Sequence, residues 1–467
     1  MAIDSLELSS LHGPEVQKND VNYFTLGESG KLTNIEGKNQ GKKRKEADTL
    51  TDFQGLMLLL PSYIGIGFLG LPYMVKLLGL WSGFAGLLFY GFLNELGCLI
   101  LADSTAKLTE RTGERFSDIG RVAEMSMKYG PHWVNQYAEK FRHFVDFCIF
   151  MSYGLLLPDL ISAMNLFVKD FLLQYVIIND VVSIVGISVL LLPVYLTRRI
   201  KLLSYLATAG NIVLFGISII AFQYICRDLP DTRARPAFKP FDYLSVTSFA
   251  NDAMFTFDGI VLVLPVRDKM RSTQHYDGWD GVLGLAVVLS IIFNVGCGFY
   301  GYLKFGELTQ VNFILNLPDK HWIYKSLKLL TFTTVYAKIG PTVYVVVGIM
   351  WRYVKGRFTT ETGQNCGEYG CRLVLLLLSC SFTIVIPEFD LLISLSGCFG
   401  AVFVTILIPF TVKLLVLYGE EESTSPSENW KRKLAFLFCV IILIFGIYST
   451  IAGIGVAVYS TLYHIKL

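Results

Sequence analysis

The chain has 467 residues, of which 53% are hydrophobic and only 17% charged, and its mean hydropathy is +0.51. Soluble domains carry roughly 25% charged residues, so this composition predicts a membrane protein. The net charge of +2 gives no indication of a nucleic-acid partner. The nine cysteines are scattered without CxxC or paired Cys/His spacing, so we expect no metal site, disulfide framework or cofactor.

Residues 1–50 are polar and end in the basic run Lys-Lys-Arg-Lys at 42–45, which predicts a disordered cytosolic tail. Beyond the tail, apolar segments of about 20 residues recur, each long enough to cross a bilayer. We predict eleven helices in one transmembrane domain over residues 51–465. Their predicted spans are 54–78, 81–104, 143–168, 178–197, 202–225, 243–266, 279–303, 323–351, 372–387, 389–416 and 433–463.

The distribution of basic residues predicts the orientation. With the N-terminus in the cytosol, the predicted cytosolic segments hold 28 of the 40 Lys and Arg residues, and the opposite side holds 10. An odd number of crossings then places the C-terminus on the extracellular or luminal side. The choice between plasma membrane and lysosome or vacuole stays open.

The first predicted span is poorly built as a continuous helix. Pro61 and Pro72 have no backbone N–H to donate, and Gly65, Gly67 and Gly70 lie between them. Backbone groups freed inside a bilayer are tolerated where they are buried in protein or line a polar cavity. The segment therefore predicts a broken helix that forms half of a solute-binding site.

The sixth predicted span repeats this pattern. Residues 257–269 resemble residues 65–76, since each has a glycine, an apolar run, Leu-Pro and a cation. The two segments start five helices apart and therefore cross in opposite directions. Paired Gly/Pro-interrupted segments in an inverted repeat indicate the binding site of a transporter. Gly and Pro are common in membrane helices, so each segment alone is weak evidence.

Four motifs along the chain resemble those of a known family. These are Ile-Gly-Ile-Gly-Phe-Leu-Gly-Leu-Pro-Tyr at 64–73, Phe-Asp-Gly-Ile-Val-Leu-Val-Leu-Pro at 257–265, Asn-Leu-Pro at 316–318 and the segment 386–397. In this order they resemble the amino acid/auxin permease family, and most of all its proton-coupled amino acid transporter branch. The resemblance covers residues 52–463. It implies an all-α LeuT-type fold with a 5+5 inverted repeat (about 54–225 and 243–416), an extra helix (433–463), and cotransport of small neutral amino acids with protons.

The chain departs from that branch at the residue associated with proton coupling. The family's histidine in the first span aligns with Leu58, which carries no proton. The family's Phe-Glu-Gly in the sixth span appears with Asp258 as its acid. A second intramembrane charge, Lys338 in the eighth span, is a candidate for proton coupling together with Asp258. A permanent ion pair between the two, or a lysine bonded to carbonyls freed by Pro341, is an equally weighted alternative.

The ends of the broken helices suit a zwitterion. Half-helix N-termini present N–H groups to a carboxylate, and half-helix C-termini present carbonyls to an ammonium group. We therefore expect the substrate carboxylate and amino group at the first and sixth spans, respectively. The predicted substrate-binding residues are Ser62, Tyr63, Gly65, Ile66, Gly67, Phe255, Thr256, Phe257, Asp258 and Gly259.

These features predict a secondary active transporter of small neutral amino acids in the lipid bilayer, coupled to protons and working by alternating access. An uncoupled facilitator and a nutrient-sensing, transporter-like receptor are the alternatives. No Ser/His/Asp, HExxH, P-loop or carboxylate-pair motif occurs along the chain, so we do not expect an enzyme. The sequence does not determine which amino acid is carried or the oligomeric state.

Overall fold

The computed structural model describes residues 25–26, 32–33, 50–172, 179–318, 322–386, 389–419 and 426–463. Residue contacts divide the chain into two units, residues 1–49 and residues 50–467. In the first unit the described residues form one antiparallel pair, β1 (Thr25–Leu26) with β2 (Leu32–Thr33). The rest of the predicted disordered tail lies outside the described residues.

The first span, TM1, is broken as the sequence predicts. TM1a (Asp52–Tyr63) is followed by Gly65 in an extended conformation, and a 3₁₀ turn (Ile66–Gly70) leads into TM1b (Leu71–Leu78). Pro72 stands in the first turn of TM1b, where a missing backbone N–H removes no intrahelical hydrogen bond. The prolines and glycines therefore divide one hydrophobic segment into two short helices.

The sixth span, TM6, is broken in the same way. TM6a (Tyr243–Thr256) ends before three residues without regular structure, 257–259. A 3₁₀ turn (Ile260–Leu262) then leads into TM6b (Val263–Lys269). The broken first and sixth helices of the predicted fold are both confirmed.

The remaining spans are helices without such a break. They are TM2 (Leu80–Thr112), TM3 (Ala138–Leu172), TM4 (Asp180–Leu196), TM5 (Ile200–Ile225), TM7 (Val282–Phe305), TM8 (Trp322–Val354), TM9 (Glu361–Val385), TM10 (Phe389–Ser396 through Ile408–Tyr418) and TM11 (Pro426–Tyr463). A loop helix (Ile119–Lys128) and the turn His132–Asn135 lie between TM2 and TM3. Within the described ranges, eight helices are long and apolar enough to span a membrane and three are shorter apolar helices, which agrees with the predicted eleven.

TM9 is longer than predicted. It begins at Glu361 rather than near residue 372, because Thr360 caps its N-terminus by accepting from the backbone N–H of Gly363. Arg372, the predicted start of this span, lies inside the helix, and its guanidinium is paired with Glu368 at 3.0 Å. The same guanidinium donates to the carbonyls that end TM4. A buried charge with these partners is tolerated inside the helix bundle.

TM10 contains two π-helical turns between residues 397 and 407, a feature frequent at functional sites. These turns lie close to two neighbouring helices. A Cβ on Gly397 would lie 2.0 Å from the carbonyl oxygen of Asn251 in TM6a, and one on Gly400 would lie 2.6 Å from Cα of Ser152 in TM3. TM10 therefore packs closely against both TM3 and TM6a.

The helices pack in two groups that position the broken segments. TM3 and TM5 pack against TM8, whereas TM7 packs against TM1a, TM1b and TM2. TM1b also contacts TM6a, and a Cβ on Gly301 of TM7 would lie 2.4 Å from the ring of Pro72. The two breaks consequently face TM3, TM5 and TM8 across the middle of the bundle.

Candidate functional site

The two helix breaks contact each other through glycines. A Cβ on Gly67 would lie 2.6 Å from both Cα and Oγ1 of Thr256. A Cβ on Gly259 would lie 2.4 Å from the ring of Tyr63. Because real Cβ atoms do not approach so closely, each break uses a glycine to admit a residue of the other break.

Beside this contact lies a cavity of about 440 Å³, within the range of small-molecule sites. Its wall is mostly apolar, with a few polar groups from TM1, TM3, TM5, TM6 and TM8. The lining residues are Leu58, Ser62, Gly65, Gly67, Ser152, Tyr153, Leu156, Leu160, Leu203, Ala207, Thr208, Asn211, Phe255, Thr256, Asp258, Gly259, Val261, Leu262, Lys338, Pro341, Thr342, Tyr344 and Val345.

Most of the residues proposed from the sequence lie in this wall. They are Ser62, Gly65, Gly67, Phe255, Thr256, Asp258, Gly259 and Lys338. Ile66 begins the 3₁₀ turn between the two lining glycines of TM1, so its backbone belongs to the same turn. The structure therefore brings the two breaks and the TM8 lysine to one place.

Two of the proposed residues, Tyr63 and Phe257, are not among the described residues that line the cavity. Both side chains are fully buried. The Tyr63 hydroxyl lies 3.4 Å from Sγ of Cys98, and the Tyr63 carbonyl accepts from the amide of Asn294 at 3.2 Å. Tyr63 therefore holds TM1a against TM2 and TM7 behind the cavity.

The hydroxyls in the wall are bonded to their own helices. Ser62 Oγ donates to the carbonyl of Leu59 at 2.6 Å, and Thr256 Oγ1 donates to the carbonyl of Asp252 at 2.8 Å. Both hydroxyls keep lone pairs that accept a hydrogen bond. They also occupy carbonyls near the C-terminal ends of TM1a and TM6a, which leaves later carbonyls for a ligand.

Asp258 is the acidic group of the cavity. One of its carboxyl oxygens lies 3.5 Å from Oγ1 of Thr405, which belongs to the π-helical part of TM10. The backbone N–H of Ile260 also donates to this carboxyl group. Sequence reasoning missed Thr405, because a threonine in an apolar helix carries no sign of which carboxyl group it approaches.

Lys338 is the basic group of the cavity and lies in TM8, three residues before Pro341. Its carbonyl accepts from Oγ1 of Thr342, one turn further along the same helix, at 3.0 Å. Among the described residues, no ion pair within 4.0 Å joins Lys338 to Asp258. The two charges face one cavity as separate groups.

TM3 and TM5 contribute polar residues that sequence reasoning did not select. Ser152 and Tyr153 come from TM3, and Thr208 and Asn211 from TM5. Aromatic residues make up 14% of this chain, so Tyr153 carries no distinctive signal in the sequence. Thr208 and Asn211 are three residues apart and therefore share a face of TM5, a spacing that the sequence shows.

A second cavity, of about 560 Å³, lies where the loop helix meets the ends of TM3 and TM8. Its wall contains Glu124, whose carboxylate accepts from Arg121 and Arg142 at 3.1 Å each and from Lys128 at 2.6 Å. Burial opposes ionisation of Glu124, but Lys128 and Arg121 outweigh it and lower the pKa of this carboxyl to about 2. This cluster ties the loop helix to TM3.

The same region contains Asp146 and His143 of TM3, whose side chains make hydrogen bonds to TM8. Asp146 of TM3 accepts from Arg352 at 2.9 Å and from the Tyr353 hydroxyl at 3.1 Å. His143 Nδ1 lies 2.8 Å from the same Tyr353 hydroxyl. These contacts join TM3 to the end of TM8.

Comparison with known proteins decides the family. The model of the transmembrane amino acid transporter protein family matches residues 48–455. The chain belongs to this family. The motifs at the two breaks therefore carry a family resemblance that extends over most of the sequence, and the chain is an integral membrane protein of a transporter family.

Two relatives match this chain over most of their length. The proton-coupled amino acid transporter-like protein pathetic of Drosophila melanogaster is 26% identical over 409 residues, covering 86% of this chain and 85% of the relative. The probable amino acid transporter skat-1 of Caenorhabditis elegans is 20% identical, covering 88% and 90%. These relatives are described as transporters, in agreement with a non-enzymatic role.

The fold also resembles that of a solved transporter. The inward-facing conformation of Mhp1 superposes with a TM-score of 0.51 at 13% sequence identity, covering 89% of this chain and 91% of Mhp1. At this identity the likeness concerns the fold alone. It agrees with the LeuT-type arrangement, in which TM1 to TM5 and TM6 to TM10 form the two repeats.

Proposed function

We propose that this protein is a secondary active transporter of small neutral amino acids, coupled to protons, that works by alternating access around the unwound parts of TM1 and TM6. The observation that carries the proposal is the 440 Å³ cavity at the meeting point of the two helix breaks. Family membership supports an amino acid as the substrate, and the name of the Drosophila relative, a proton-coupled amino acid transporter-like protein, supports protons as the coupling ion.

The substrate carboxylate is placed at the break in TM1. The turn that starts at Ile66 follows an extended Gly65, so its first N–H groups precede any intrahelical acceptor. They carry the partial positive charge of a helix N-terminus. Gly65 has open space in front of it, since the nearest atom to a Cβ built there is the Ser62 carbonyl oxygen at 3.5 Å. A carboxylate is thus able to approach this backbone closely.

The substrate amino group is placed at the break in TM6. TM6a ends at Thr256, and the carbonyls of its last turn point towards the break with partial negative charge. Asp258 adds a carboxyl group beside them in the cavity wall. A zwitterion bound between Gly65 and Asp258 would have each charge next to a group of opposite sign.

Lys338 and Asp258 are proposed to carry the proton coupling. Both line the substrate cavity, so a proton on either group changes the charge that the substrate meets. Leu58, which aligns with the coupling histidine of the proton-coupled branch, also lines this cavity. The protein places an apolar side chain where that histidine would lie, and the carboxyl and amine groups of the described cavity wall are those of Asp258 on TM6 and Lys338 on TM8.

The orientation proposed from the basic residues places the tail in the cytosol and the C-terminus outside it. In that orientation the cavity wall includes cytosolic halves of three spans, through Leu58 of TM1a, Leu203 near the start of TM5 and Val345 late in TM8. Leu58 is 42% exposed. These positions support an inward-facing state for the present structure.

The apolar Leu58 also favours the second candidate function, an uncoupled facilitator or a nutrient-sensing receptor of the same fold. Purified protein in proteoliposomes separates the candidates. We expect uptake of labelled small neutral amino acids that rises with an inward proton gradient. Counterflow without acid stimulation would select the facilitator, and substrate binding without flux would select the receptor.

A further inference from the structure

Asp159 of TM3 is a buried acid that the substrate cavity does not use. Its side chain is fully buried, and one carboxyl oxygen lies 2.6 Å from Oγ of Ser396 in TM10. The other oxygen, Oδ1, has no hydrogen-bond partner among the described residues. Asp159 precedes Leu160 and follows Leu156 by three residues, and both leucines line the cavity. The acid therefore lies at the flank of the cavity face of TM3.

An ionised carboxylate is poorly accommodated at this position. It is sealed from water inside a membrane span and would have one hydroxyl donor for two charged oxygens. A neutral carboxylic acid fits better, because its O–H donates to Ser396 Oγ and leaves a carbonyl oxygen without a partner. The present packing of TM3 against TM10 thus selects the protonated form of Asp159.

The link joins TM3 to the part of TM10 that departs from α-helical geometry. The π-helical turns begin at Gly397, immediately after Ser396. At Gly397 and Gly400 the backbone approaches Asn251 of TM6a and Ser152 of TM3 too closely for a Cβ. TM10 is held against both helices at this level, and the Asp159–Ser396 bond lies at one edge of that contact.

Among the described residues, the other ionisable groups on the helices packed against TM3 have other partners or make no hydrogen bond to Asp159. Lys338 of TM8 lines the substrate cavity and is not within 4.0 Å of the Asp159 carboxyl. Several described groups on TM4, TM8, TM9, TM10 and the loop helix are bonded to other residues. These pairs are Asp180 with Lys169, Lys328 with Asp170, Arg352 with Asp146, Arg372 with Glu368, Cys398 with the Leu395 carbonyl, and Glu124 with its three cations. Tyr195, Tyr336 and Cys380 also lie on these helices without a hydrogen bond to Asp159, and the Asp390 side chain lies outside the described residues.

We propose that Asp159 is a proton-binding site whose occupancy is linked to closure of TM10 against TM3. When the proton leaves, the buried carboxylate needs water, and separation of TM10 from TM3 admits it. When a proton binds, the neutral acid donates to Ser396 and TM10 closes. This inference rests on the proposed proton-coupled transport and adds a second proton site, outside the substrate cavity.

The test measures initial uptake against external pH in proteoliposomes. For Asp159→Asn we expect loss of acid stimulation while counterflow of unlabelled for labelled amino acid continues, because the amide keeps the bond to Ser396 without titrating. Asp159→Glu is expected to restore acid stimulation with a displaced midpoint. Ser396→Ala is expected to displace the midpoint with the acid present. Ser394→Ala, a buried hydroxyl two residues away that accepts from Asn251, is the matched control and should leave the midpoint unchanged.

Unchanged acid stimulation in Asp159→Asn would overturn the proposal. If that variant fails to fold, equal midpoints in Ser396→Ala, Asp159→Glu and wild type would overturn it instead. A wild-type protein that exchanges amino acids without acid stimulation would remove proton coupling, and this inference with it, while leaving amino acid transport in place. A wild-type protein that moves no amino acid would remove the proposed function itself.

Discussion

The breaks in TM1 and TM6 look alike in sequence and differ in what they contribute. TM1 offers backbone beside Gly65 and Gly67 and has no titratable side chain in its part of the cavity wall. TM6 offers backbone together with the carboxyl group of Asp258. An inverted repeat of one structural motif thus yields two chemically different half-sites, which suits the two opposite charges of the zwitterion proposed as substrate.

The glycines of the two breaks also differ. Gly65 faces open space, whereas Gly67 is pressed against Thr256 of the other break. The sequence interpretation treated Gly65 and Gly67 alike, as ligand contacts. The structure assigns a packing role to Gly67 in addition to its place in the cavity wall.

The largest expected effect is at this contact. Gly67→Ala places a methyl group 2.6 Å from Thr256 and should separate the two breaks. Overpacking costs about 1–3 kcal/mol, which corresponds to roughly 5- to 150-fold in an equilibrium. We expect the initial rate of uptake to decrease by a factor within that range. The melting temperature of the purified protein should decrease as well.

Substitutions at two other glycines serve as comparisons for Gly67→Ala. Gly65→Ala has room for its methyl group and should raise KM for uptake without lowering the melting temperature, because the methyl group holds the ligand away from the backbone. Gly216→Ala, with no atom within 4 Å of the added Cβ, should change neither quantity. Equal effects of the Gly65 and Gly67 substitutions would remove the distinction between them.

The second prediction concerns the charge opposite both breaks. Lys338→Ala should abolish the pH dependence of uptake, because it removes a titratable amine from the cavity wall. Lys325→Ala, on the same helix but outside the cavity, is the control. The measurement is initial uptake between pH 5 and 8. An unchanged pH response in Lys338→Ala would remove this residue from the coupling mechanism.

The third prediction separates the half-sites. Asp258→Asn should raise KM, since a charge-assisted hydrogen bond to the substrate amino group is worth about 1.5 kcal/mol, or roughly tenfold. Asp258→Glu, which has the acid found at this position in the resembled family, should retain more of the affinity. Asp280→Asn, in an exposed loop, provides the comparison. An unaltered KM in Asp258→Asn would mean that TM6 binds the substrate amino group through its backbone carbonyls alone.

The smallest effect is expected far from both breaks. Glu124→Gln removes the carboxylate that binds three cations and should lower stability by about 1–2 kcal/mol while leaving KM unchanged. Because the pKa of Glu124 is lowered in the folded protein, its contribution is complete above the unfolded pKa of about 4.3 and is lost as pH falls towards 2.

Melting temperatures between pH 2.5 and pH 7 check this sign, since the gap in melting temperature between Glu124→Gln and wild type should stay constant down to about pH 4.3 and narrow below it. Glu139→Gln, an exposed carboxyl beside the same cavity, should match wild type throughout. A gap that widens as the pH falls would contradict the assigned direction.

The sequence predicted the membrane fold well because hydrophobic length, proline and glycine act locally. The breaks at Gly65 and before Gly259 follow from residues that lack a donor or a Cβ, whatever the neighbouring helices do. Failures arose where partners are distant in sequence. The predicted ninth span began at Arg372, but TM9 extends further towards its N-terminus, and the Arg372 guanidinium donates to carbonyls at the end of TM4, 175 and 177 residues away.

The candidate site shows the same division. Gly67 and Asp258 could be identified as site residues from the local sequence. The position of Tyr63 behind the cavity could not, because it depends on Cys98 and Asn294 in other spans. Likewise, the proximity of Thr405 to Asp258 follows from the π-helical turns of TM10, for which the apolar sequence offers no periodic signal.

The central claim is that the cavity between the two breaks binds amino acids. Ser62 lies in its wall, so a Ser62→Cys variant reports occupancy through the rate of thiol alkylation, read by mass spectrometry of the peptide that contains position 62. The native Cys366, which is exposed on TM9, serves as an internal reference. We predict that transported neutral amino acids slow alkylation at position 62 and leave Cys366 unaffected. Equal alkylation rates at position 62 with and without saturating substrate would contradict the claim.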